Sequence, residues 1–470
     1  MSDYDCIIIG GGPAGSTAAG LLAKAGRRAV VFEREVFPRY HIGESLLPST
    51  TLGVMQKLGA VELIEEAGFR RKLGGTFVWG QRKEPWAFRF YRTGPEDGAI
   101  AGDADFLHSF QVERSKFDDI LLKHAIELGA EVHEGARVTT LEGLDDSLKT
   151  VRATLADGSE RVVRAPFVVD ASGRNSAIRT RFGERHMDPF FKNITVFRYY
   201  EGGHRLEGDR AGDALLVAFE HGWFWFIPLA NDLLSVGVVL FRDAYDAHRD
   251  RDPAALFDEM VAQAPLMAEY LAQATPCRRA PYDEVRVEAD YSYIHSHFTH
   301  NGVFLAGDAA CFIDPLFSSG VHLATYAGYL AATGIDAVLG GATRLEAAAQ
   351  AYEDAYRREY TAFYRFLVSF YELHDDEKSY FWRAHKVSGE ETDVMSLDAF
   401  VRTVSGQATT GSTLFASGED LVRSITTGAN SIGTMADKVS GGAVSDEAVT
   451  AARDYMGAIH EGRHRIIRGE

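Results

Sequence analysis

Residues 5–34 read DCIIIGGGPAGSTAAGLLAKAGRRAVVFER. A short apolar strand leads into G-x-G-x-x-G, formed by Gly10, Gly12 and Gly15, and a helical pattern then leads into a second strand that ends at Glu33. In this βαβ arrangement the glycines allow a tight turn and bring a pyrophosphate close to the helix N-terminus, and the acidic residue binds a ribose hydroxyl. The stretch therefore predicts a dinucleotide-binding Rossmann unit, and Glu33 favours FAD or NAD over NADP.

Two later strand ends indicate FAD. Residues 170–173 (DASG) end one strand, and residues 307–310 (GDAA) end another and open a helix. Either alone is also explained as an ordinary strand–turn–helix junction, but together with Arg114, which precedes a helix, they resemble the flavoprotein monooxygenase superfamily. The resemblance implies that Arg114 contacts FAD and that the last helix of the fold points its N-terminus at the isoalloxazine. It also implies FAD contacts at Pro13, Ala14, Arg34, Ser45, Val138, Asp308, Gly320 and Val321.

Composition excludes several classes of protein. The chain has 470 residues, of which 46% are hydrophobic and 25% charged, as in a folded globular protein of two to three domains. A net charge of −18 argues against nucleic acid as a partner. No apolar run approaches the ~20 residues of a membrane span, and the N-terminus lacks a signal peptide. Cys6, Cys277 and Cys311 are too scattered for a disulfide framework or a zinc site, so a cytoplasmic protein without a metal is expected.

The pattern of the whole chain predicts an α/β protein. It comprises a Rossmann-type FAD-binding fold, an inserted antiparallel-sheet substrate domain and a helical C-terminal segment. The sheet is predicted from residues 190–240, which are rich in aromatic and β-branched side chains. Helices are predicted over residues 50–69, 253–275 and 320–372, and a loop-rich stretch is predicted over residues 405–445. The predicted bounds are 1–75, 105–180 and 295–340 for the FAD-binding domain, 76–104 and 181–294 for the sheet-rich substrate domain, and 341–470 for the C-terminal helical or loop segment.

Residues 223–228 carry the pattern W-x-W-x-I-P. Trp223 and Trp225 are two positions apart on a predicted strand, so they face the same side of it. One interpretation is a hydrophobic sheet face. In an FAD protein of this kind, however, the pattern resembles the flavin-dependent halogenases. The resemblance places both tryptophans among the catalytic residues and implies that the motif keeps the organic substrate away from the flavin.

Lys72 stands in RRKLGGTF, residues 70–77, directly before a Gly-Gly strand start. An isolated lysine is usually a solvated surface charge. The halogenases carry their essential lysine in this place, so the resemblance implies that Lys72 is catalytic. Its ammonium can hydrogen-bond hypohalous acid, or its free amine can form a haloamine if desolvation lowers the pKa.

Residues 314–321, DPLFSSGV, precede a helical pattern. Small residues at a helix N-terminus make an anion site, and the resemblance assigns halide binding to the backbone N–H groups of Ser319 and Gly320. Capping of the helix by Ser318 or Ser319 is a second interpretation, and both can hold. The chain departs from the tryptophan halogenases at Phe317, where those enzymes place a catalytic glutamate. Free tryptophan is therefore not the expected substrate, and Lys72 would act without that partner.

Residues 41–48 and 289–293 resemble the branch that acts on phenols and pyrroles, and the resemblance covers residues 1–370. It implies a natural-product enzyme that uses FADH2, O2 and chloride or bromide, through a flavin C4a-hydroperoxide, hypohalous acid and Lys72. No second Rossmann motif for NAD(P)H is seen, so a separate flavin reductase is expected as a partner. The expected substrate is a phenol or pyrrole, free or attached to an acyl or peptidyl carrier protein. The alternatives are an aromatic hydroxylase, an isoprenoid-type reductase and a non-catalytic FAD-binding partner protein.

Overall fold

The computed structural model describes residues 2–79, 85–90, 107–176, 178–289, 291–372 and 400–407. The strands within this part of the chain are β1 (Cys6–Ile9), β2 (Ala29–Phe32), β3 (Arg70–Lys72), β4 (Gly74–Val78), β5 (Trp86–Arg89), β6 (Ser109–Gln111), β7 (Glu131–His133), β8 (Arg137–Glu142), β9 (Lys149–Thr154), β10 (Glu160–Ala165), β11 (Phe167–Asp170), β12 (Arg185–Met187), β13 (Ile194–Glu201), β14 (Ala214–Phe219), β15 (Gly222–Pro228), β16 (Leu233–Leu240), β17 (Thr275–Pro276), β18 (Arg286–Ala289), β19 (Tyr293–His295), β20 (Thr299–His300), β21 (Val303–Leu305) and β22 (Cys311–Phe312).

The helices are α1 (Pro13–Lys24), α2 (Met55–Leu58), α3 (Val61–Glu66), α4 (Arg114–Glu127), α5 (Arg242–Asp246), α6 (Pro253–Ala262), α7 (Pro265–Leu271), α8 (Ser319–Leu339) and α9 (Leu345–Glu372). A π-helical turn over Ser49–Val54 precedes α2, and residues 400–404 are helical. Short 3-10 turns cover Gly173–Asn175, Arg179–Arg181, Gly208–Arg210 and Gly307–Ala309.

A mainly parallel sheet carries the strands of the predicted Rossmann unit, in the order β20-β21-β11-β1-β2-β7. Strand β1 lies between β2 and β11, with Cys6 opposite both Ala29 and Phe167. Every residue of β1, β2 and β11 is buried, as expected for strands covered on both faces. The structure thus confirms the predicted fold class. The carboxyl ends of these strands meet at one edge, where ligands bind in folds of this kind.

The second large sheet is mixed, with the order β17-β13-β16-β15-β14-β4-β5 and with β18 paired to β13. Its middle strand, β15, holds the W-x-W-x-I-P pattern between β14 and β16. Strand β4 joins the sheet by parallel pairing with β14. The predicted boundary between residues 75 and 76 therefore falls inside β4. The division into domains stays a prediction.

Three predicted helices are interrupted in the structure. The helix expected over 253–275 is two helices, because Pro265 begins α7 and cannot donate the backbone hydrogen bond that would continue α6. The pattern expected from residue 320 to 372 breaks between α8 and α9, where Gly341 has a φ of 74°. The helix expected over 50–69 is a π-helical turn followed by α2 and α3. The loop-rich stretch expected over 405–445 lies almost entirely outside the described residues.

Helix α1 packs against α8, and this contact brings the helix that follows the glycine turn next to the helix that begins within the DPLFSSG stretch. The two backbones approach so closely that a Cβ added to Gly328 of α8 would lie 2.4 Å from the carbonyl oxygen of Ala14. The close contact places the first turn of α1 against α8. The two ends of the candidate site are thereby held together.

Candidate active site

One large cavity of about 630 Å³ lies between the carboxyl edge of the parallel sheet and one face of the mixed sheet. Its volume is in the range of small-molecule and cofactor sites. Gly15 and Ser319 are absent from its lining. It is lined by the other residues that the sequence singles out: Gly10, Gly12, Pro13, Ala14, Glu33, Arg34, Ser45, Lys72, Arg114, Val138, Trp223, Trp225, Asp308, Gly320 and Val321.

The glycine turn is shaped to receive a phosphate group. Gly12 is the N-cap of α1 and offers no side chain to the free N–H groups of the first turn. A Cβ added to Gly12 would meet only Arg39 Nη2, at 3.4 Å, so the space before the helix is open to a ligand. Gly15 lies behind the turn, where an added Cβ would be 1.9 Å from the Gly10 carbonyl oxygen. Gly15 therefore packs helix against strand, and Gly12 faces the cavity.

Glu33 stands at the end of β2 and is buried. Its carboxylate accepts hydrogen bonds from the backbone N–H groups of Gly11, at 2.6 Å, and Glu35, at 2.9 Å. These bonds aim the carboxylate into the cavity next to the glycine turn, and each oxygen retains capacity for a further donor. This geometry fits a ribose hydroxyl, so the residues present fit the dinucleotide part of FAD.

Arg114 lines the cavity, but its hydrogen bonds are made within the protein. The guanidinium donates to both oxygens of Asp118, at 2.7 and 3.0 Å, and to the Ile42 carbonyl oxygen, at 2.6 Å. Arg39 donates to the same carboxylate at 2.9 Å. Arg114 is thus anchored on α4 and supports the loop that continues to Ser45.

Asp308 occupies the 3-10 turn after β21 and also lines the cavity. Burial raises the pKa of its carboxyl to about 6, against the lowering influence of Arg114 and Arg174. The Tyr293 hydroxyl donates to the Asp308 carbonyl oxygen at 2.6 Å. The turn is therefore held at the edge of the parallel sheet, where Asp308 lines the cavity.

The N-terminus of α8 provides unpaired backbone donors. Ser318 is its N-cap, but it adopts a φ of 58° and its side chain makes no capping bond, because a capping side chain normally reaches back from extended backbone. Capping by Ser318 is therefore not observed. The hydroxyl of Ser319 is buried and has no hydrogen-bond partner among the described residues. Gly320 reaches the cavity, so the first turn of α8 offers N–H groups to an anion there.

A row of aromatic rings, which we call the apolar wall, runs along the cavity from its α8 end to Lys72. It consists of the rings of Phe77, Phe88, Phe90 and Phe317, all of which line the cavity. Neighbouring ring centres are 5.5 to 6.1 Å apart, from Phe317 through Phe77 and Phe88 to Phe90. Lys72 Nζ lies 5.3 Å from the centre of the Phe90 ring. The wall separates the predicted halide site from the lysine.

Lys72 is not a solvated surface lysine. It ends β3, is 4% exposed, and its Nζ donates to Ser45 Oγ at 2.8 Å and to the Leu46 carbonyl oxygen at 3.1 Å. Desolvation lowers the pKa of the amine to about 7, and the charge of Asp213 opposes this effect. Near neutral pH both the ammonium and the free amine are therefore accessible.

Replacing Lys72 by Met should change the thermal midpoint more favourably at pH 6 than at pH 9, although it also removes the positive charge that acts on buried Asp213. Below pH 7 Lys72 carries its proton in both folded and unfolded states, and burying the ammonium costs roughly 2–4 kcal/mol. Between pH 7 and the ordinary pKa of 10.5 the folded amine is neutral while the unfolded chain still binds the proton, so the cost falls as the pH rises. Thermal midpoints at pH 6 and pH 9 should show a larger gain for Lys72→Met at pH 6.

The control for this experiment is Lys123→Met, because the Lys123 side chain is 67% exposed and pairs with Asp119 on the surface. It should change the thermal midpoint little at either pH. An equal or larger gain for Lys72→Met at pH 9 would contradict the depressed pKa of Lys72.

The two tryptophans of the W-x-W-x-I-P pattern are each held by one hydrogen bond. Trp223 Nε1 donates to the Tyr371 hydroxyl at 2.5 Å, and Tyr371 donates to the buried carboxylate of Asp314 at 3.1 Å. Asp314 in turn accepts the backbone N–H of Leu316 at 3.0 Å. Trp225 Nε1 donates to Ser235 Oγ at 3.1 Å on the adjacent strand. The pattern is thus linked through Tyr371 to the loop that leads into α8.

Sequence reasoning missed three further buried polar residues at the site. Glu44 lines the cavity, and burial raises its pKa to about 7 although the Tyr199 hydroxyl donates to it at 2.6 Å. Asp213 lies near Lys72, and Tyr371 holds Trp223. Glu44 lies within residues 41–48, and the family resemblance of this stretch is the one feature of the sequence that could have indicated it. The importance of Asp213 and Tyr371 depends on partners distant in sequence.

Within the described ranges, no group of three or more His, Cys, Asp or Glu side chains is placed to hold a metal ion. None of the helices in the same ranges is both long enough and apolar enough to span a membrane.

Known proteins match most of this chain. A family profile described as Tryptophan halogenase matches residues 5–101 and 92–430. A tryptophan 2-halogenase of Chondromyces crocatus is 33% identical over 416 residues, which are 86% of this chain and 76% of the relative. A 1H-pyrrole-2-carbonyl-[peptidyl-carrier protein] chlorinase of Pseudomonas fluorescens is 35% identical over 396 residues, covering 79% of this chain and 84% of that one.

Solved structures agree with these matches. The myxobacterial chondrochloren halogenase CndH is 41% identical, with a TM-score of 0.74 over 90% of this chain and 97% of that one. The flavin-dependent halogenase CmlS is 32% identical, with a TM-score of 0.71 over 90% of this chain and 76% of that one. The similarity therefore covers both sheets and the cavity between them.

Proposed function

The chain belongs to the tryptophan halogenase family of flavin-dependent halogenases, and from that premise we propose that it transfers chloride or bromide to the electron-rich ring of a phenol or pyrrole. The observation that carries this proposal is the buried Lys72, which shares one cavity with the glycine turn of α1 and the N-terminus of α8. An aromatic hydroxylase or an isoprenoid-type reductase of the same fold fits the family less well than a halogenase.

FAD is the cofactor of this family, and we assign its binding to the residues that line the glycine-turn end of the cavity. Gly12 and the first turn of α1 would receive the pyrophosphate, and Glu33 would receive a ribose hydroxyl. Asp308 and the first turn of α8 would face the opposite end of the cofactor. When bound and reduced, FAD supplies the reaction with O2 that oxidises the halide to hypohalous acid.

Three parts of the cavity would then control the halide and the hypohalous acid. The backbone N–H groups of Ser319 and Gly320 would hold the halide ion before it is oxidised. The apolar wall and Trp223 and Trp225 exclude water and keep the arene from the flavin end. Lys72, at the far end of the wall, binds hypohalous acid through its ammonium or reacts with it as the free amine. The arene attacks the halogen there. With hypohalous acid the halogen–oxygen bond breaks, and the hydroxide that leaves combines with the ring proton to give water. With the haloamine, whose formation has already released water, the halogen–nitrogen bond breaks and the ring proton restores the amine of Lys72.

The substrate and partners are proposed from chemistry and from relatives. The apolar wall suits a flat, uncharged ring next to Lys72. One relative is a chlorinase of a pyrrole carried on a peptidyl carrier protein, which supports a carrier-bound ring as one form of the substrate. The protein is further proposed to act in natural-product biosynthesis in the cytoplasm. A separate flavin reductase would supply its FADH2.

The test is product mass spectrometry. The purified protein is incubated with FAD, a flavin reductase, NADH, O2 and bromide, together with free and carrier-bound phenols and pyrroles. A product that gains the isotope pair of bromine, and that requires both the reductase and bromide, is expected. A hydroxylated product that forms equally well without halide would overturn the proposal in favour of the hydroxylase, and so would rapid NADH consumption by the protein alone.

Trp223→Ala and Trp225→Ala should each lower the yield of halogenated product per flavin oxidised by roughly tenfold or more, because water then enters between the wall and the flavin end. Hydrogen peroxide release should rise in both variants. The control is Phe224→Leu on the opposite face of β15, where Phe224 packs in the core formed with α6. It should keep the wild-type yield. Unchanged yield in both tryptophan variants would reduce the pattern to a hydrophobic sheet face.

A further inference from the structure

Lys72 shares a small buried set of polar side chains, which we call the lysine chamber: Ser45, Lys72, Ser109, Gln111 and Asp213. Strands β3 and β6 place Lys72 directly opposite Ser109, and an isolated bridge places Ser45 opposite Gln111. Residues opposed in this way direct their side chains to the same face. All five members are at most 6% exposed.

The backbone of the residue before Asp213 holds Asp213 in the chamber. Gln111 Nε2 donates to the carbonyl oxygen of Gly212 at 3.0 Å, which fixes the residue before Asp213 against β6. One carboxylate oxygen of Asp213 accepts from Thr76 Oγ1 at 3.3 Å. Its other oxygen, Oδ1, is buried and has no hydrogen-bond partner among the described residues. A buried carboxylate with one unpaired oxygen requires a compensating charge.

Lys72 is the cation that supplies this compensation. Burial raises the pKa of the Asp213 carboxyl to about 6, and the charge of Lys72 is the largest influence that opposes this rise, ahead of Arg210. Asp213 is in turn the charged group that favours the ammonium of Lys72. The two groups interact through space, since Lys72 Nζ donates to Ser45 and Leu46 rather than to Asp213.

Other charged groups on the neighbouring elements are directed elsewhere. Glu44, next to Ser45, accepts from Tyr199. His108, next to Ser109, lies 3.4 Å from Glu65, and Arg71 lies 3.9 Å from the same carboxylate. Within the described part of the chain, Asp213 is thus the acidic side chain that acts on Lys72.

We propose that Asp213 is the positioning residue that holds Lys72 as an ammonium ion in the lysine chamber and thereby sets the pH at which the free amine appears. Phe317 lines the cavity and has no carboxylate that could act on Lys72. The counter-charge comes from Asp213, which directly precedes β14 of the mixed sheet. The consequence for halogenation rests on the proposed function of Lys72. The electrostatic effect of Asp213 on Lys72 does not depend on that proposed function.

The test measures the reactivity of Lys72 directly. The FAD-loaded protein is treated with trace acetic anhydride between pH 5 and pH 10, and acetylation of Lys72 is quantified by mass spectrometry relative to the exposed Lys123. In Asp213→Asn the titration of Lys72 should move to lower pH, because an opposing negative charge is gone. At pH 6 Lys72 should then react roughly tenfold faster than in the wild type.

Three variants accompany this one. Asp209→Asn removes the same charge from a carboxylate whose side chain is 76% exposed, and it should leave the Lys72 profile unchanged. Asp213→Glu keeps the charge and should retain the wild-type profile. Asp213→Ala replaces Asp213→Asn if that variant loses FAD or thermal stability. An unmoved Lys72 profile in a folded, charge-free variant would overturn the proposal.

The pH profile of halogenation is the second measurement. Whichever form of Lys72 is active, the limb that reports its titration should shift to lower pH in Asp213→Asn and not in Asp209→Asn. A displaced labelling profile in a protein that makes no halogenated product would count against the proposed function but uphold the role of Asp213. Active protein with unmoved profiles would leave the halogenase function standing and remove Asp213 from it.

Discussion

The Lys72→Ala variant is expected to lose halogenation almost completely, by about a thousandfold or more, while it still binds FAD and its reduced flavin still reacts with O2 at the wild-type rate. The reason is the position of the lysine. Lys72 lies at the end of the apolar wall away from α8, with its Nζ held by Ser45 and Leu46, and in the proposed function it acts on the arene and not on the flavin.

Lys72→Arg should fail as well. A guanidinium stays protonated and cannot form a haloamine. Halogenated product is measured by mass spectrometry, and the flavin reaction with O2 is followed by stopped-flow absorbance. Lys123→Ala, an exposed lysine on α4, is the matched control and should retain full activity. Near wild-type product from Lys72→Ala would leave another group, or a hydroxylase, as the better explanation.

The Gly12→Val variant is expected to lose FAD binding by roughly a thousandfold, equivalent to about 4 kcal/mol, without losing its fold. The structure separates the two effects. A Cβ at Gly12 would meet only Arg39 Nη2, at 3.4 Å, so the protein tolerates a side chain there. That side chain projects into the space that the pyrophosphate would occupy at the N-terminus of α1.

The measurements are flavin absorbance after gel filtration, FAD titration followed by fluorescence, and the thermal midpoint of the protein without FAD. Gly334→Ala is the control, since its Cβ would make an ordinary contact at 3.7 Å with Ala348 inside the helical layer. It should retain FAD. Full FAD occupancy in Gly12→Val would show that the cofactor lies elsewhere.

The fold could be predicted from the sequence because its signals are local. The strand–glycine–helix–strand order of residues 5–34 reports backbone constraints that act within a few residues, and the structure has those elements nearly as expected. Apolar runs likewise identify the buried strands. The prediction of uninterrupted helices over 253–275 and 320–372 was wrong because it depended on apolar periodicity. This periodicity continues across Pro265 and Gly341, where the helices are interrupted.

The candidate site was only partly readable. Residues such as Lys72, Trp223 and Ser319 were singled out through their surrounding motifs, and their roles stay predictions. The sequence contained no sign that Trp223 would be held by Tyr371, or that Glu44 would be held by Tyr199. These partners come from different elements, and hydrogen bonds between distant segments depend on how sheets and helices pack.

The Rossmann unit, the glycine turn and the motifs of a flavin-dependent halogenase could be predicted from the order of the amino acids, because each depends on neighbouring residues and on backbone geometry. The protonation of Lys72 depends instead on how the strands and sheets pack. Lys72 reads as a surface charge from its own neighbours, yet the pairing of β3 with β6 buries it, and the mixed sheet places Asp213 beside it. Burial and through-space charge belong to the packed arrangement, and they set the chemistry of that amine.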